Sequence, residues 1–176
     1  MTGVQTCALP ILRDFGLWTQ QLWAESLGKA KTRNGDPAPR ASTPLPALGS
    51  SDQHSILQQV MEGSRDKFLC FLRVAASEEK SQTLERNLFD CQTLMMGKSM
   101  GGLFSAMADA TRQALESSGV QSLTLTAESL DERSMGALFM LFEITVATIG
   151  EVLGINAFDQ PGVELGKRLA RDILGR

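Results

Sequence analysis

The chain has 176 residues, 43% of them apolar, which is enough to bury a hydrophobic core as one ordinary domain. Its formal net charge of −3 excludes the basic surface with which nucleic-acid-binding proteins hold phosphates. No apolar run approaches the roughly 20 residues that cross a bilayer, so we expect no membrane partner and, by default, a cytoplasmic protein. Three scattered cysteines predict neither a disulfide framework nor a zinc site.

Residues 1–11, MTGVQTCALPI, have neither the basic start nor the apolar centre of a signal peptide. They resemble the in-frame translation of a common sequencing-library adapter whose GTG codon is read as Met. We therefore expect residues 1–11, Cys7 included, to be a non-native segment, and the fold prediction leaves them out. The native sequence would then begin mid-gene at about Leu12, which makes the chain a gene fragment.

The first half of the remaining chain predicts two helices around an extended segment. Apolar residues recur with helical spacing over residues 14–27, and Gly28 follows where a helix would end. A polar loop rich in Pro, Gly and Asn comes next. The two prolines of residues 43–48 allow only an extended, edge-like segment. Ser50, Ser51 and Asp52 are candidate N-caps for a helix that runs to Glu62 and stops at Gly63.

The second half alternates between strand and helix patterns. Residues 67–74 form a compact apolar run of strand length, and residues 122–127 alternate with period two. Helical patterns cover residues 84–117, with a break near GKSMGG, and then residues 135–149 and 161–174. This alternation predicts an α/β fold, with a parallel sheet and helices on both of its faces.

Residues 97–101 match two motifs of other enzyme classes, one in part and one in an unsuitable context. Gly97–Lys98–Ser99 suggests a phosphate-binding P-loop, but Gln92 stands where that motif needs its first glycine. Residues 97–101, GKSMG, match the G-x-S-x-G pattern of a serine-hydrolase elbow, but they follow a helical pattern and not the strand that such an elbow requires.

His54 and Glu25 are candidates for proton transfer. His54 is the single histidine, and in the first turn of a helix the dipole favours its neutral ring; a capping or packing role is the alternative. Glu25 lies in the last turn of its helix, where the dipole disfavours the ionised carboxylate, which suits a general base. A solvated glutamate, or a partner for Lys29 four residues on, is the alternative for Glu25.

The stretch from 154 to 167 contains a third candidate. Pro161 suits the first position of a helix, and Gly162 and Gly166 allow close approach of a ligand or another backbone. Lys167 lies near the positive end of that helix, and its alternative is a surface ion pair with Glu164.

Three motifs resemble motifs of the glucose-6-phosphate isomerase family, and they occur along the chain in the same order as in that family. AESLGK resembles its glutamate motif and SSDQHS its histidine motif. INAFDQPGVELGK resembles its C-terminal signature, with the signature residues Phe158, Asp159, Gln160, Gly162, Val163, Glu164 and Lys167 in place. The resemblance covers residues 12–176. The sequences of the glutamate and histidine motifs are similar to those of a bacterial branch of the family, which includes forms fused to transaldolase.

The resemblance implies that glucose 6-phosphate and fructose 6-phosphate are interconverted in glycolysis and gluconeogenesis through a cis-enediol, with no metal or organic cofactor. It implies that Glu25 moves the proton between C1 and C2, that His54 and Lys167 open the sugar ring, and that Gln160 binds substrate. It also implies a homodimer in which His54 is supplied across the interface.

The resemblance further implies the fold and what the chain lacks. Residues 12–176 would be a C-terminal sugar-isomerase domain, a three-layer α/β/α doubly wound sheet without its first strand, followed by a helical arm. The family's Ser/Thr-rich phosphate loop and its arginine would precede Leu12, so we expect the fragment to be inactive alone. A non-catalytic sugar-phosphate-binding domain of the same fold is the alternative.

Overall fold

The structure is a computed structural model that describes residues 3–8, 12–75, 81–84 and 95–175. In chain order the elements are β1 (Gly3–Ala8), α1 (Arg13–Leu27), β2 (Thr43–Leu48), α2 (Gly49–Asp52), α3 (Leu57–Glu62), β3 (Lys67–Val74), α4 (Met100–Ser117), β4 (Gln121–Ala127), α5 (Glu132–Val152) and α6 (Pro161–Leu174). The predicted α/β class with a parallel sheet is confirmed, and α6 has the predicted bounds.

The four described strands are parallel and lie in the order β2-β1-β3-β4. The chain passes from β1 outward to β2, returns across β1 to β3, and continues to β4. Because every strand points the same way, the sheet has one edge of carboxyl ends and one of amino ends. Each long helix that follows a strand starts at the carboxyl edge and runs back to the amino edge.

β1 lies within residues 1–11, which the fold prediction left out, while residues 12–176 were expected to lack the first strand of the sheet. Gly3–Ala8 lies between Thr43–Leu48 and Lys67–Leu72 and pairs with both. A gap there would leave two rows of backbone N–H and C=O groups unpaired, and any extended segment can fill it through its backbone alone. The non-native origin of residues 1–11 stays a prediction.

The segment with two prolines is a strand at one edge of the described sheet, as predicted. β2 has a single strand neighbour, β1, so the missing N–H groups of Pro44 and Pro46 can face away from the ladder. Gln20 of α1 donates its Nε2–H to the Pro44 carbonyl at 3.4 Å. This side-chain hydrogen bond pairs a backbone carbonyl of the edge strand β2.

β3 buries side chains on both sides of the sheet. Cys70, Leu72 and Val74 join a core cluster with residues of α1 and α5. Leu69 and Phe71, which point the other way, join a second cluster with residues of β2, α3 and α4. This two-sided burial explains the continuous apolar run of β3.

The prediction of one helix that runs from the candidate caps Ser50 to Asp52 as far as Glu62 is wrong: the segment forms two short helices, α2 and α3, separated by a turn. The Asp52 carboxylate does not cap a following helix. Its Oδ2 accepts the Leu48 N–H at 2.6 Å, which folds the chain back against the end of β2. His54 consequently lies in the turn, with its N–H bonded to the Ser51 carbonyl, and not in the first turn of a helix.

α4 begins at Met100, within the predicted break near GKSMGG. Gly97 has a φ of 72°, a conformation that suits glycine. Ser99 caps the helix by accepting the Gly102 N–H at 3.0 Å. The helical pattern predicted before this break falls on residues 85–94, which lie outside the described residues.

The sequence of α5 bears on the expectation that no apolar run approaches the length that crosses a bilayer. It has 21 residues, and an 18-residue window of it has a mean hydropathy of 1.6, so it is long and apolar enough to cross a membrane by length and composition. In the fold, Leu138, Phe142, Val146 and Gly150 form a buried stripe along one side of this helix. Part of that stripe packs against α1, and 17% of the apolar window is buried.

Candidate active site

Glu25 lies in the last turn of α1, as predicted. The helix ends at Leu27, whose side chain is buried, and Gly28 follows with a φ of −75°. A Cβ at Gly28 would lie 2.7 Å from the Ala24 carbonyl oxygen, so a close backbone approach requires glycine there. The end of α1 is therefore fixed by packing and by backbone contact.

Two side-chain amides hold the Glu25 carboxylate. Gln21 Nε2 donates to Oε1 at 3.1 Å, and Gln160 Nε2 donates to Oε2 at 2.6 Å. The alternative of a side-chain pair between Glu25 and Lys29 is wrong, because Lys29 Nζ donates to the Glu25 backbone carbonyl. Each carboxylate oxygen keeps a lone pair after accepting one bond, so the group is oriented and can still accept a proton.

The C-terminal end of α5 brings Gln160 to this place. Gly154 has a φ of 66° and donates its N–H to the Glu151 carbonyl, and the Ile155 N–H bonds to the Gly150 carbonyl. This pair of bonds is a Schellman motif, which reverses the chain and needs glycine in the left-handed conformation. Ile155, 0% exposed, then packs in a cluster with Leu27.

Lys29 connects the end of α1 with the segment 156–160. Its Nζ donates to the backbone carbonyl of Glu25 at 2.6 Å and to that of Asp159 at 2.5 Å, and it lies 3.6 Å from Asp159 Oδ1. The Lys29 side chain is only 6% exposed. Asp159 Oδ2 also accepts a hydrogen bond from Asn156 Nδ2 at 2.9 Å.

A second, exposed ion pair joins the same two regions. Arg33 donates two hydrogen bonds to the Glu151 carboxylate, and its backbone N–H bonds to the Gly154 carbonyl. Hydrogen bonding from Arg33 lowers the pKa of Glu151 and, in return, raises the pKa of Arg33. The loop after α1 is thus held against the turn that follows α5.

Within one copy of the chain, the topology separates His54 from Glu25. Glu25 is at the end of α1, which runs from the carboxyl edge of the sheet to its amino edge. His54 follows β2 and lies exposed at the carboxyl edge. The six residues of β2 span about 20 Å between these edges. Gln53 anchors the His54 turn by donating to Thr111 Oγ1 at 2.8 Å.

Lys167 is not brought to Glu25 either. Its Nζ pairs with Glu164 Oε1 at 2.8 Å, and both side chains are 59% exposed. None of the described residues of α6 is buried, although Val163, Leu165 and Leu169 are apolar. α6 therefore projects from the domain as an arm with an uncovered apolar side.

Gln21 is absent from the sequence-based prediction of the site, and Lys29 enters it only as an alternative side-chain partner for Glu25. Gln21 stands four residues before Glu25 on the same helix, and that spacing was a usable signal. The contact of Lys29 with Asp159 spans 130 residues, and no local pattern indicates it.

Other features of the described residues do not form a competing site. No group of three His, Cys, Asp or Glu side chains comes together there as a metal site. A cleft of about 540 Å³ lies beside β4, lined by Arg112, Glu116 and residues 119–124 among others. Glu25 does not line this cleft.

The fold and this site define a parallel α/β domain that carries a carboxylate oriented by two amides. The sequence model of the family described as "PGI: Phosphoglucose isomerase" matches residues 5–176. The chain therefore belongs to the phosphoglucose isomerase family.

Similarity to individual proteins supports the membership of this family. The chain is 38% identical over 163 residues to a glucose-6-phosphate isomerase of Prochlorococcus marinus (strain MIT 9211), covering 93% of this chain and 28% of that one. A hypothetical protein of Thermus thermophilus superposes with a TM-score of 0.89 at 33% identity, over 98% of this chain and 41% of that one. A glucose-6-phosphate isomerase of Chlamydia trachomatis superposes with a TM-score of 0.77 at 28% identity, over 99% and 34%. The chain spans about a third of the length of the curated relatives it matches.

Proposed function

We propose that this chain is the C-terminal part of an enzyme that interconverts glucose 6-phosphate and fructose 6-phosphate. The observation that carries the proposal is the Glu25 carboxylate, held by Gln160 of the family's C-terminal signature at 2.6 Å. A general base must be aimed at the carbon whose proton it takes, and two amide donors restrict the orientation of this carboxylate.

In this proposal, Glu25 takes the proton from C2 of the open-chain aldose. The electron pair of that bond forms the C1–C2 double bond of a cis-enediol, and the former aldehyde oxygen gains a proton. Glu25 then returns its proton to C1 while the C2 hydroxyl loses its own proton, which leaves the ketone at C2. The proton lost from the C2 oxygen balances the proton gained by the C1 oxygen. Gln160 orients Glu25 and contributes a polar group to substrate binding, and the step requires no cofactor.

His54 and Lys167 open the sugar ring by moving protons at its oxygens. The separation of His54 from Glu25 across the sheet supports a homodimer in which His54 of one copy serves the Glu25 site of the other. Lys167 lies on the exposed arm α6, and the proposal requires this arm to bring it to a Glu25 site in the full assembly.

The architecture and origin of the chain belong to the same proposal. Residues 12–176 form a three-layer, doubly wound sugar-isomerase domain of a cytoplasmic protein, and residues 1–11 derive from adapter. The phosphate loop and the arginine are in a preceding part, so the chain alone is inactive. The motif sequences support a full-length protein of the bacterial branch, which includes fusions to transaldolase.

A hybrid protein tests the function. In the hybrid isomerase, residues 12–176 replace the matching part of the Prochlorococcus marinus relative, and the protein is expressed in a host that lacks its own isomerase. We expect conversion of fructose 6-phosphate to glucose 6-phosphate, measured by a coupled dehydrogenase. A folded hybrid that binds hexose 6-phosphate without converting it would instead support the non-catalytic sugar-phosphate-binding domain.

A further inference from the structure

Lys29 has an environment that a surface lysine does not have. Its side chain is 6% exposed, and its ammonium group bonds to two backbone carbonyls, those of Glu25 and Asp159. A buried ammonium is stable only when its N–H groups find acceptors, and here the acceptors come from segments 130 residues apart. Lys29 therefore links the helix of the proposed base to the signature segment.

The link ends one peptide group away from Gln160. The Asp159 carbonyl that accepts from Lys29 belongs to the peptide bond that joins Asp159 to Gln160. Gln160 Nε2 donates to Glu25 Oε2. Lys29 thus bonds to the backbone on both sides of the Glu25–Gln160 contact, while its ammonium group does not reach the Glu25 carboxylate.

Little else holds this part of the segment. Ile155 and Ala157 are buried, but Phe158, Asp159 and Gln160 are exposed. Among the hydrogen bonds and ion pairs of the described residues, those of Asn156 with Asp159 and Phe158 are local. Beyond Ala157, the bonds that reach another part of the fold are those of Lys29 and of Gln160 itself.

We propose that Lys29 is a positioning residue that holds Gln160, and through it the Glu25 carboxylate, in the orientation for proton transfer. This inference rests on the proposed isomerase function. Lys29 does not touch the reacting carbons. Its effect is expected on turnover and only weakly on substrate affinity.

The test uses Lys29→Met in the hybrid isomerase, which keeps the apolar length of the side chain and removes its donors. We expect kcat to fall about 10- to 100-fold while KM stays within about twofold, because misplacement of a catalytic group acts on turnover. Lys31→Met, at an exposed lysine two residues away, is the matched control and should keep wild-type kcat. Hydrogen exchange of the amides of residues 156–160 should rise in Lys29→Met and not in Lys31→Met.

A double-mutant cycle separates positioning from a general loss of stability. If Lys29 acts through Gln160, adding Lys29→Met to Gln160→Ala lowers kcat by no more than about twofold beyond Gln160→Ala alone. Additive losses would overturn the proposal. If Lys29→Met does not fold, Lys29→Gln replaces it in the same double-mutant cycle. The glutamine side chain keeps a donor but is too short to reach both the Glu25 and the Asp159 carbonyls.

Glu25→Gln distinguishes this inference from the function on which it rests. Wild-type proton exchange in Glu25→Gln would remove the proposed base, whatever Lys29 does. An inactive Glu25→Gln together with full kcat in Lys29→Met would overturn the positioning role alone.

Discussion

Gln160 Nε2 lies 2.6 Å from Glu25 Oε2, although 135 residues separate the two in the chain. Three contacts bring them together: the burial of Ile155 beside Leu27, the approach of Ala157 to Gly150, and the bonds of Lys29 to Asp159. All three lie where α1 and α5 end, at the amino edge of the sheet. The Glu25–Gln160 pair is therefore a property of the helix ends and of the turn after α5.

Glu25→Gln in the hybrid isomerase should greatly slow proton exchange and leave folding intact. The amide keeps the shape of the carboxylate and loses its basicity, so the rate should fall about 10²- to 10⁴-fold. The measurement is the loss of deuterium from C2-labelled glucose 6-phosphate, with melting temperature as the folding check. Glu143→Gln, at an exposed position of α5, is the control and should exchange normally. Retained exchange in Glu25→Gln would exclude Glu25 as the base.

Mixing Glu25→Gln and His54→Ala variants of the hybrid isomerase should restore activity if His54 of one copy acts at the Glu25 site of the neighbouring copy. A heterodimer of Glu25→Gln and His54→Ala has one site with both defects and one with neither. Random mixing of subunits then gives about a quarter of wild-type activity. The variants are unfolded and refolded together, and activity is compared with each variant refolded alone. Absence of any recovery in confirmed heterodimers would show that Glu25 and His54 act within one copy.

Gly150→Ala should destabilise the junction between α5 and the segment 156–160. The new Cβ would lie 2.8 Å from the Ala157 Cβ, closer than real contacts allow. We expect a loss of about 1–3 kcal/mol in the free energy of unfolding. Gly136→Ala in the same helix meets no atom within 4 Å, and should gain about 0.5–1 kcal/mol from helix propensity. Urea denaturation measures both, and equal effects of the two changes would contradict the crowding at Gly150.

Asp131, the N-cap of α5, should make stability depend on acid pH. Hydrogen bonds from the Ser129 hydroxyl and the Ser134 N–H lower its pKa to about 2, from 3.8. Because the folded-state pKa is depressed, its stabilisation is present above pH 3.8 and is lost as the pH falls through about 2.

Asp131→Ala should consequently lower the melting temperature near neutral pH. Its difference from wild type should shrink between about pH 4 and pH 2. Glu128→Ala, at an exposed carboxylate nearby that caps no helix, is the control. A difference that persists unchanged below pH 2 would exclude the charged cap as its cause.

The 176-residue chain alone should associate and show no isomerase activity above background. Apolar side chains remain exposed on α5 and α6 and at the signature, among them Met140, Ile144, Phe158, Leu169 and Ile173. Uncovered apolar surface of this kind promotes association. Size-exclusion chromatography with light scattering and a coupled assay measure both properties. A monodisperse chain that interconverts the two hexose phosphates at an enzyme-like rate would contradict the proposal that the substrate site needs a preceding part.

Local patterns in the sequence were sufficient for most of the elements. Helical spacing predicted α1 and α6, the apolar run predicted β3, and the prolines predicted that β2 is an edge-like strand, because each of these signals acts over a few residues. The turn at His54 was missed because the bond from Leu48 to Asp52 competes with a capping role that looks equally good in sequence.

The sequence by itself determined the α/β class, the positions of Glu25 and Gln160 and, by resemblance, their membership of one motif set. Only the tertiary structure decided that these two side chains meet, that Lys29 binds the Asp159 carbonyl, and that His54 lies at the opposite edge of the sheet. The reason is physical: propensity and periodicity act within a few residues, whereas these contacts depend on helix length, strand direction and the reversal after α5. Packing at the ends of two helices fixes such distances, and no segment of the chain contains that information alone.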